Sequence, residues 1–160
     1  LGINYHQPSE EITPDFEAYF KLFHDFIDLK PNQKLHFELG RAIVGQCGSL
    51  ISKVLYIKEG IKTRFAILDA GMTELIRPAL YQSYHKIENL SAINDTEYLY
   101  DIVGPICESS DCFGKAIPLP ETKRDDIIAI RSTGAYGEVM ASQYNLRSLA
   151  PAFYSKCCID

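Results

Sequence analysis

No apolar run in this sequence is long enough to cross a bilayer; charge or glycine interrupts each one first, so no membrane-spanning helix is expected. No basic segment leads into an apolar one, so no secretory signal is expected either. The first residue is Leu1 rather than Met, which leaves room for a removed upstream segment. Cys-x-x-Cys is absent and the four histidines stand far apart, so the ligand spacing of a zinc site is missing and no metal is expected. Basic charge is scarce: 16 Lys and Arg against 21 Asp and Glu give a net charge of −5, and only Lys123-Arg124 are adjacent. Nothing there could track a phosphate backbone, which argues against nucleic acid as the main partner.

What the chain does contain is an ordinary soluble composition, 46% hydrophobic and 23% charged over 160 residues. That suits one domain, or one domain plus a piece of another. The five cysteines, an odd number without a secretory signal, read as reduced thiols of a cytoplasmic protein.

Residues 13–29 predict a helix. Thr13 suits the N-cap, Pro14 the first turn, and Asp15 and Glu17 the positive end of the dipole. Phe16, Tyr19, Phe20, Phe23, Phe26 and Ile27 recur at helical spacing and form one aromatic face. Residues 34–41 alternate Leu35, Phe37 and Leu39 against His36 and Glu38, a strand pattern. A lone helix and strand leave their apolar faces uncovered, so this stretch reads as the end of a larger α/β unit. Beyond residue 41, the β-branched and aromatic runs 42–59, 63–71, 97–107 and 126–132 predict strands, with a helical period only around 72–84. Turn signals at Glu59-Gly60, Asn94-Asp95 and Pro118-Leu119-Pro120 separate them. The fold class expected is mainly β: a mostly antiparallel barrel or sandwich over 42–160, preceded by an α/β remnant over 1–41.

Four blocks carry a resemblance, in order: Glu38-Leu39-Gly40-Arg41; "LDAGMTELIRPALYQSYHKI" at 68–87; "GPICESSDCFGK" at 104–115; and "IRSTGAYGEVMASQYN" at 130–145. With them the sequence resembles the diaminopimelate decarboxylases, pyridoxal-phosphate enzymes of fold type III. The resemblance implies the last helix and strand of a (β/α)8 barrel over 1–41, then the β domain. It implies that the cofactor-attachment lysine and most of a glycine-rich phosphate loop lie upstream of Leu1, so that this chain alone is inactive. It further implies a homodimer with two shared sites acting on meso-2,6-diaminopimelate to yield L-lysine and carbon dioxide.

The site residues follow from the same resemblance, each beside what its chemistry allows. Glu38 corresponds to the acid that keeps the cofactor ring nitrogen protonated; by pattern alone it is a solvent-facing strand carboxylate. Gly40 permits close backbone approach, and Arg41 can fork onto phosphate or carboxylate; by resemblance both help hold the cofactor and Arg41 also reaches substrate. Leu39 departs from the family's proline. Arg77 and Tyr81, spaced i, i+4, can share one pocket and correspond to the pair that binds the substrate's far carboxylate; the local alternative is Arg77 lying over an acid such as Glu74. A thiol of ordinary pKa, about 8.5, is a competent proton donor at neutral pH, and Cys107 corresponds to the donor that protonates Cα. Glu108 corresponds to the residue that takes the distal ammonium, and Ser109 could add a hydroxyl to the distal carboxylate. A Cys107–Cys112 disulfide is the redox alternative. Tyr136, between Gly134 and Gly137, corresponds to a tyrosine that touches cofactor and substrate, or else is a packed strand residue. Cys112, Cys157 and Cys158 receive no role. Two other readings stay open: a related ornithine, arginine or carboxynorspermidine decarboxylase, and a β-rich binding module without cofactor.

Overall fold

The computed structural model describes residues 1–8, 14–61 and 63–155. Thr13, Cys157 and Cys158 lie outside the described residues, so nothing follows for the roles considered for them.

Helix α1 runs Phe16–Phe26, and Asp15 caps it: its Oδ1 accepts from the Ala18 N–H at 2.8 Å. The aromatic face forms as the spacing predicts. Phe20 and Phe23 pack edge-on to Phe37, with ring centroids 4.8 and 4.9 Å apart. No residue of α1 is buried, and Phe26 is 82% exposed, so this face is only partly covered. Residues 34–40, predicted as a strand, form no ladder. Strand geometry needs a neighbour to satisfy its N–H and C=O groups, and among the described residues none runs beside this segment. The predicted strand 42–59 also begins later than expected. Arg41–Val44 form a short helix, α2, followed by a 3-10 turn at Gly45–Cys47.

Six strands follow: β1 (Ser49–Glu59), β2 (Arg64–Leu68), β3 (Ile87–Asn89), β4 (Glu97–Val103), β5 (Cys112–Pro120) and β6 (Ile127–Arg131). Helix α3 (Arg77–Tyr81) sits between β2 and β3. The sheet order is β3-β6-β1-β2-β4-β5, antiparallel except for the β2–β4 pair. The sheet curls until its edges nearly meet: a methyl group on Gly114 of β5 would lie 3.7 Å from Ile87 Cδ1 of β3. The result is a nearly closed, barrel-like sheet, as the mainly β reading expects.

Alternation in β1 builds the core. Leu50, Ser52 and Val54 point inward; a bulge after Val54 shifts the phase, and Ile57 takes the next inward place. They meet Leu68, Tyr100, Ile102, Leu119, Ile128 and Ile130, none of them more than 2% exposed. The buried Tyr100 hydroxyl accepts from the Thr122 N–H at 3.0 Å, so its polar end is satisfied. Pro118 and Pro120, read as turn residues, lie in β5 instead. An edge strand tolerates proline because one side of its backbone has no ladder partner.

Candidate active site

The candidate residues fall into two groups. The first centres on Tyr136. Gly134 is forced here by packing: a Cβ on it would run into the Val44 carbonyl oxygen, inside the turn that follows Arg41. Gly134 N–H donates to Gly45 O at 3.0 Å and Thr133 N–H to Gly48 O at 3.0 Å, so the 133–136 turn is fastened to the 41–48 turn. Tyr136 then takes φ +64°, a conformation costly for a non-glycine residue, which turns its ring across the site. Gly40 has φ +58°, and a Cβ there would sit 3.0 Å from the Tyr136 hydroxyl. The Arg41 and Arg77 guanidinium carbons lie 5.8 and 5.4 Å from the Tyr136 ring centroid, and Arg77 is also 5.4 Å from that of Tyr81.

Arg77 is buried, yet its Nε finds no hydrogen-bond partner among the described residues. The local alternative does not hold, because Glu74 is engaged elsewhere. Its Oε2 accepts from Gly71 N–H and the Thr73 hydroxyl, and its Oε1 lies 3.6 Å from Arg147 Nε. A buried guanidinium without its own acid is a costly arrangement for a scaffold and an apt one for an anionic ligand.

Two residues of this group had no visible signal. Tyr5 accepts a hydrogen bond from Arg41 Nη1 at 3.4 Å, and its ring meets that of His85 edge-on at 5.2 Å. His85 is buried with Nδ1 2.9 Å from Arg131 O. Burial, with the Arg77 charge adding to it, holds its pKa below the ordinary histidine value despite that carbonyl, so it stays neutral. Contacts across such sequence separations leave no periodic trace. Glu38 is exposed, and among the described residues it makes no hydrogen bond or ion pair, so the chain's own geometry does not draw it into the group.

The second group is the loop of the Gly104–Phe113 stretch. Cys107, Glu108, Ser109 and Ser110 are exposed, whereas Asp111 is 4% exposed and organises the loop from below. Asp111 Oδ2 accepts from Ile106 N–H at 2.6 Å and Oδ1 from Met72 N–H at 2.7 Å. Gly71 and Gly104 admit the carboxylate; a Cβ on Gly104 would collide with Asp111 Oδ2. Cys107 and Cys112 are both free thiols, so the disulfide alternative is not the state seen. Cys112 is half-buried, and burial pushes its thiol pKa up, as befits a packing residue. The Glu108 carboxylate accepts from the Tyr144 hydroxyl.

Asp111 therefore offers a stability test. Asp111→Ala leaves the buried Ile106 N–H unsatisfied, at about 1–3 kcal/mol, and removes the acceptor of the half-buried Met72 N–H, so chemical denaturation should show a clear fall in stability. Burial, aided by Glu74, outweighs the two donors and raises this carboxyl pKa above its ordinary value. Its favourable contribution is thus fullest below the unfolded pKa and declines as pH rises through the folded one, a slope the variant should lack.

Among the described residues no hydrogen bond, ion pair or ring contact joins the Cys107 loop to the Arg41, Arg77 and Tyr136 group. Nor do His, Cys, Asp and Glu side chains among them cluster in a metal-binding set. No described helix is long and apolar enough to cross a membrane.

Residues 17–134 match the family model described as the pyridoxal-dependent decarboxylase C-terminal sheet domain. A diaminopimelate decarboxylase of Bacteroides thetaiotaomicron is 63% identical over 155 residues, 97% of this chain and 40% of the relative. The crystal structure of a diaminopimelate decarboxylase from M. jannaschi superposes with a TM-score of 0.80 at 36% identity, over 93% of this chain and 35% of that one. One from Helicobacter pylori, complexed with L-lysine, gives 0.63 at 49% identity over 68% of this chain and 26% of that one. The chain thus spans well under half the length of these relatives. A sheet domain of this topology, sequence and extent identifies the chain as a member of the pyridoxal-dependent decarboxylases.

Proposed function

We propose that the chain is the C-terminal part of a diaminopimelate decarboxylase, with residues 1–41 completing a (β/α)8 barrel and 42–160 forming the sheet domain. The observation that carries this reading is the buried Arg77, without an acidic partner among the described residues, beside Arg41, Tyr81 and Tyr136. Such a set is suited to anionic groups at both a cofactor and a substrate. Backbone groups around Gly40 and Arg41 would hold the phosphate of pyridoxal phosphate together with the Tyr136 hydroxyl, and Glu38 would face its ring nitrogen. That cofactor, when bound, supplies an electron sink for the pair left on Cα when carbon dioxide departs.

The chain's own residues supply the rest. Arg77, with Tyr81, binds the far carboxylate of a diacid. Glu108 takes the distal ammonium, and Ser109 can donate a hydroxyl to the distal carboxylate. Cys107 delivers a proton to Cα after decarboxylation. Among the described residues no hydrogen bond, ion pair or ring contact joins the Cys107 loop to the Arg77 group, which fits a homodimer whose two sites each draw the loop from the neighbouring subunit. The lysine that attaches the cofactor lies, on this reading, outside this chain, and the enzyme works in the cytoplasm.

The test is direct. Full-length protein supplied with pyridoxal phosphate and meso-2,6-diaminopimelate should release carbon dioxide and L-lysine in equal amounts. Turnover of ornithine or arginine in preference, or of none of these, contradicts the proposal.

A further inference from the structure

We infer that Tyr144 is a specificity-determining positioning residue: its hydroxyl orients the Glu108 carboxylate for the distal ammonium of the substrate. The inference rests on the role proposed above for Glu108 and extends it to a residue that touches no substrate itself.

The hydrogen bond from Tyr144 to Glu108 joins two exposed side chains separated by 36 positions. Exposed polar pairs contribute little to folding, so stability alone is a weak reason for this one. The backbone beside it is unusual. Asn145 and Leu146 both take positive φ, +54° and +57°, and Leu146 is fully exposed. Left-handed backbone of this kind persists only where the surroundings over-determine it, and here both flanks are fastened. On one side Ser142 N–H donates to Thr73 O at 2.9 Å. On the other, the Arg147 guanidinium donates to Asp69 O and lies 3.6 Å from Glu74.

The same 69–74 turn also carries the Cys107 loop, through Met72 N–H and Asp111. One rigid turn thus fixes both partners of the Tyr144–Glu108 bond. The nearby carboxylate raises the Tyr144 pKa, so the phenol remains a donor across the working range. A carboxylate held by one donor still has lone pairs free for an ammonium, and it loses less rotamer freedom on binding than a free glutamate does. Tyr144 lies in the 130–145 block that carries the family resemblance, but no spacing argument ties it to Glu108; the sheet brings them together.

The experiment uses full-length holoenzyme carrying Tyr144→Phe, which removes only the hydroxyl. Decarboxylation at one end of meso-2,6-diaminopimelate leaves the distal ammonium and carboxylate as the α-groups of L-lysine. L-lysine and 6-aminohexanoate therefore form a pair of equilibrium probes that differ in that ammonium. Meso-2,6-diaminopimelate and 2-aminopimelate form the corresponding kinetic pair. Tyr144→Phe should raise KM for meso-2,6-diaminopimelate and Kd for L-lysine roughly tenfold, the scale of one hydrogen bond to a charged group. It should leave kcat and both probes that lack the distal ammonium nearly unchanged, and Glu108→Gln/Tyr144→Phe should be no worse than Glu108→Gln alone. Equal losses for both members of each pair, or no loss at all, overturn the inference. Glu108→Gln separates the two levels. If it abolishes the preference for the distal ammonium while Tyr144→Phe leaves it intact, only the role of Tyr144 falls; if the preference survives Glu108→Gln, the role of Glu108 falls as well.

Discussion

Replacing Cys107 with alanine should lower kcat of the full-length enzyme by about 10²–10⁴-fold, the contribution of a well-placed general acid, with little change in KM. The thiol is exposed and free. The loop that presents it is held by Asp111 and not by Cys107 itself. Thermal stability should therefore stay within about 0.5 kcal/mol of the parent, as for other surface changes. Cys107→Ser keeps the shape but offers a much weaker acid, and it should recover only a small part of the rate. A steady-state assay alongside a melting curve checks both halves. Loss of folding with the rate, or a rate within a few-fold of the parent, would remove Cys107 from the chemistry.

Arg77→Met should act on binding. Its guanidinium is buried and its Nε unpartnered among the described residues, which suits the ligand-binding role proposed for it. Truncating one member of a buried charge pair costs roughly 2–5 kcal/mol, which corresponds to a fall in kcat/KM of about 30-fold to several thousand-fold. Methionine fills the space of the arginine stem without strain. Removing an unpaired buried charge should also leave the ligand-free protein equally stable or more so. That opposition, weaker catalysis with unchanged or higher Tm, is the signature to measure. Arg77→Lys restores charge but not the fork and should recover the loss only in part. A variant that loses stability in proportion to activity would instead make Arg77 a packing residue.

Much of this architecture is legible in the residues. The β-branched and aromatic runs that become β1, β2, β4 and β6 are local in sequence, and so is the helical spacing of the aromatic residues in α1. Other features leave no such local trace. The 34–40 segment has the alternation of a strand but no described neighbour to pair with, and pattern alone does not supply one. Pro118 and Pro120 read as a turn because edge position is a property of the sheet and not of the segment. Arg77 and Tyr81 are legible as an i, i+4 pair, and the Arg77 guanidinium carbon lies 5.4 Å from the Tyr81 ring centroid. Tyr5, His85 and Tyr144 act through contacts made by folding across long separations, so nothing local marks them. Asp111 stands in the Gly104–Phe113 stretch, but its burial depends on the close approach of Gly104 and of the distant Gly71, and on a backbone donor from another turn.

The central claim is that each site is built from two copies, one giving the Arg77 pocket and the other the Cys107 loop. Complementation measures this directly. Full-length Cys107→Ala and Arg77→Met enzymes, each nearly inactive, are mixed and allowed to exchange subunits. Half of the dimers become mixed, and each mixed dimer regains one intact site of two, so activity should rise to about a quarter of the parent value. Activity that stays at the level of the two separate variants after verified exchange would place the whole site in a single chain and contradict the account.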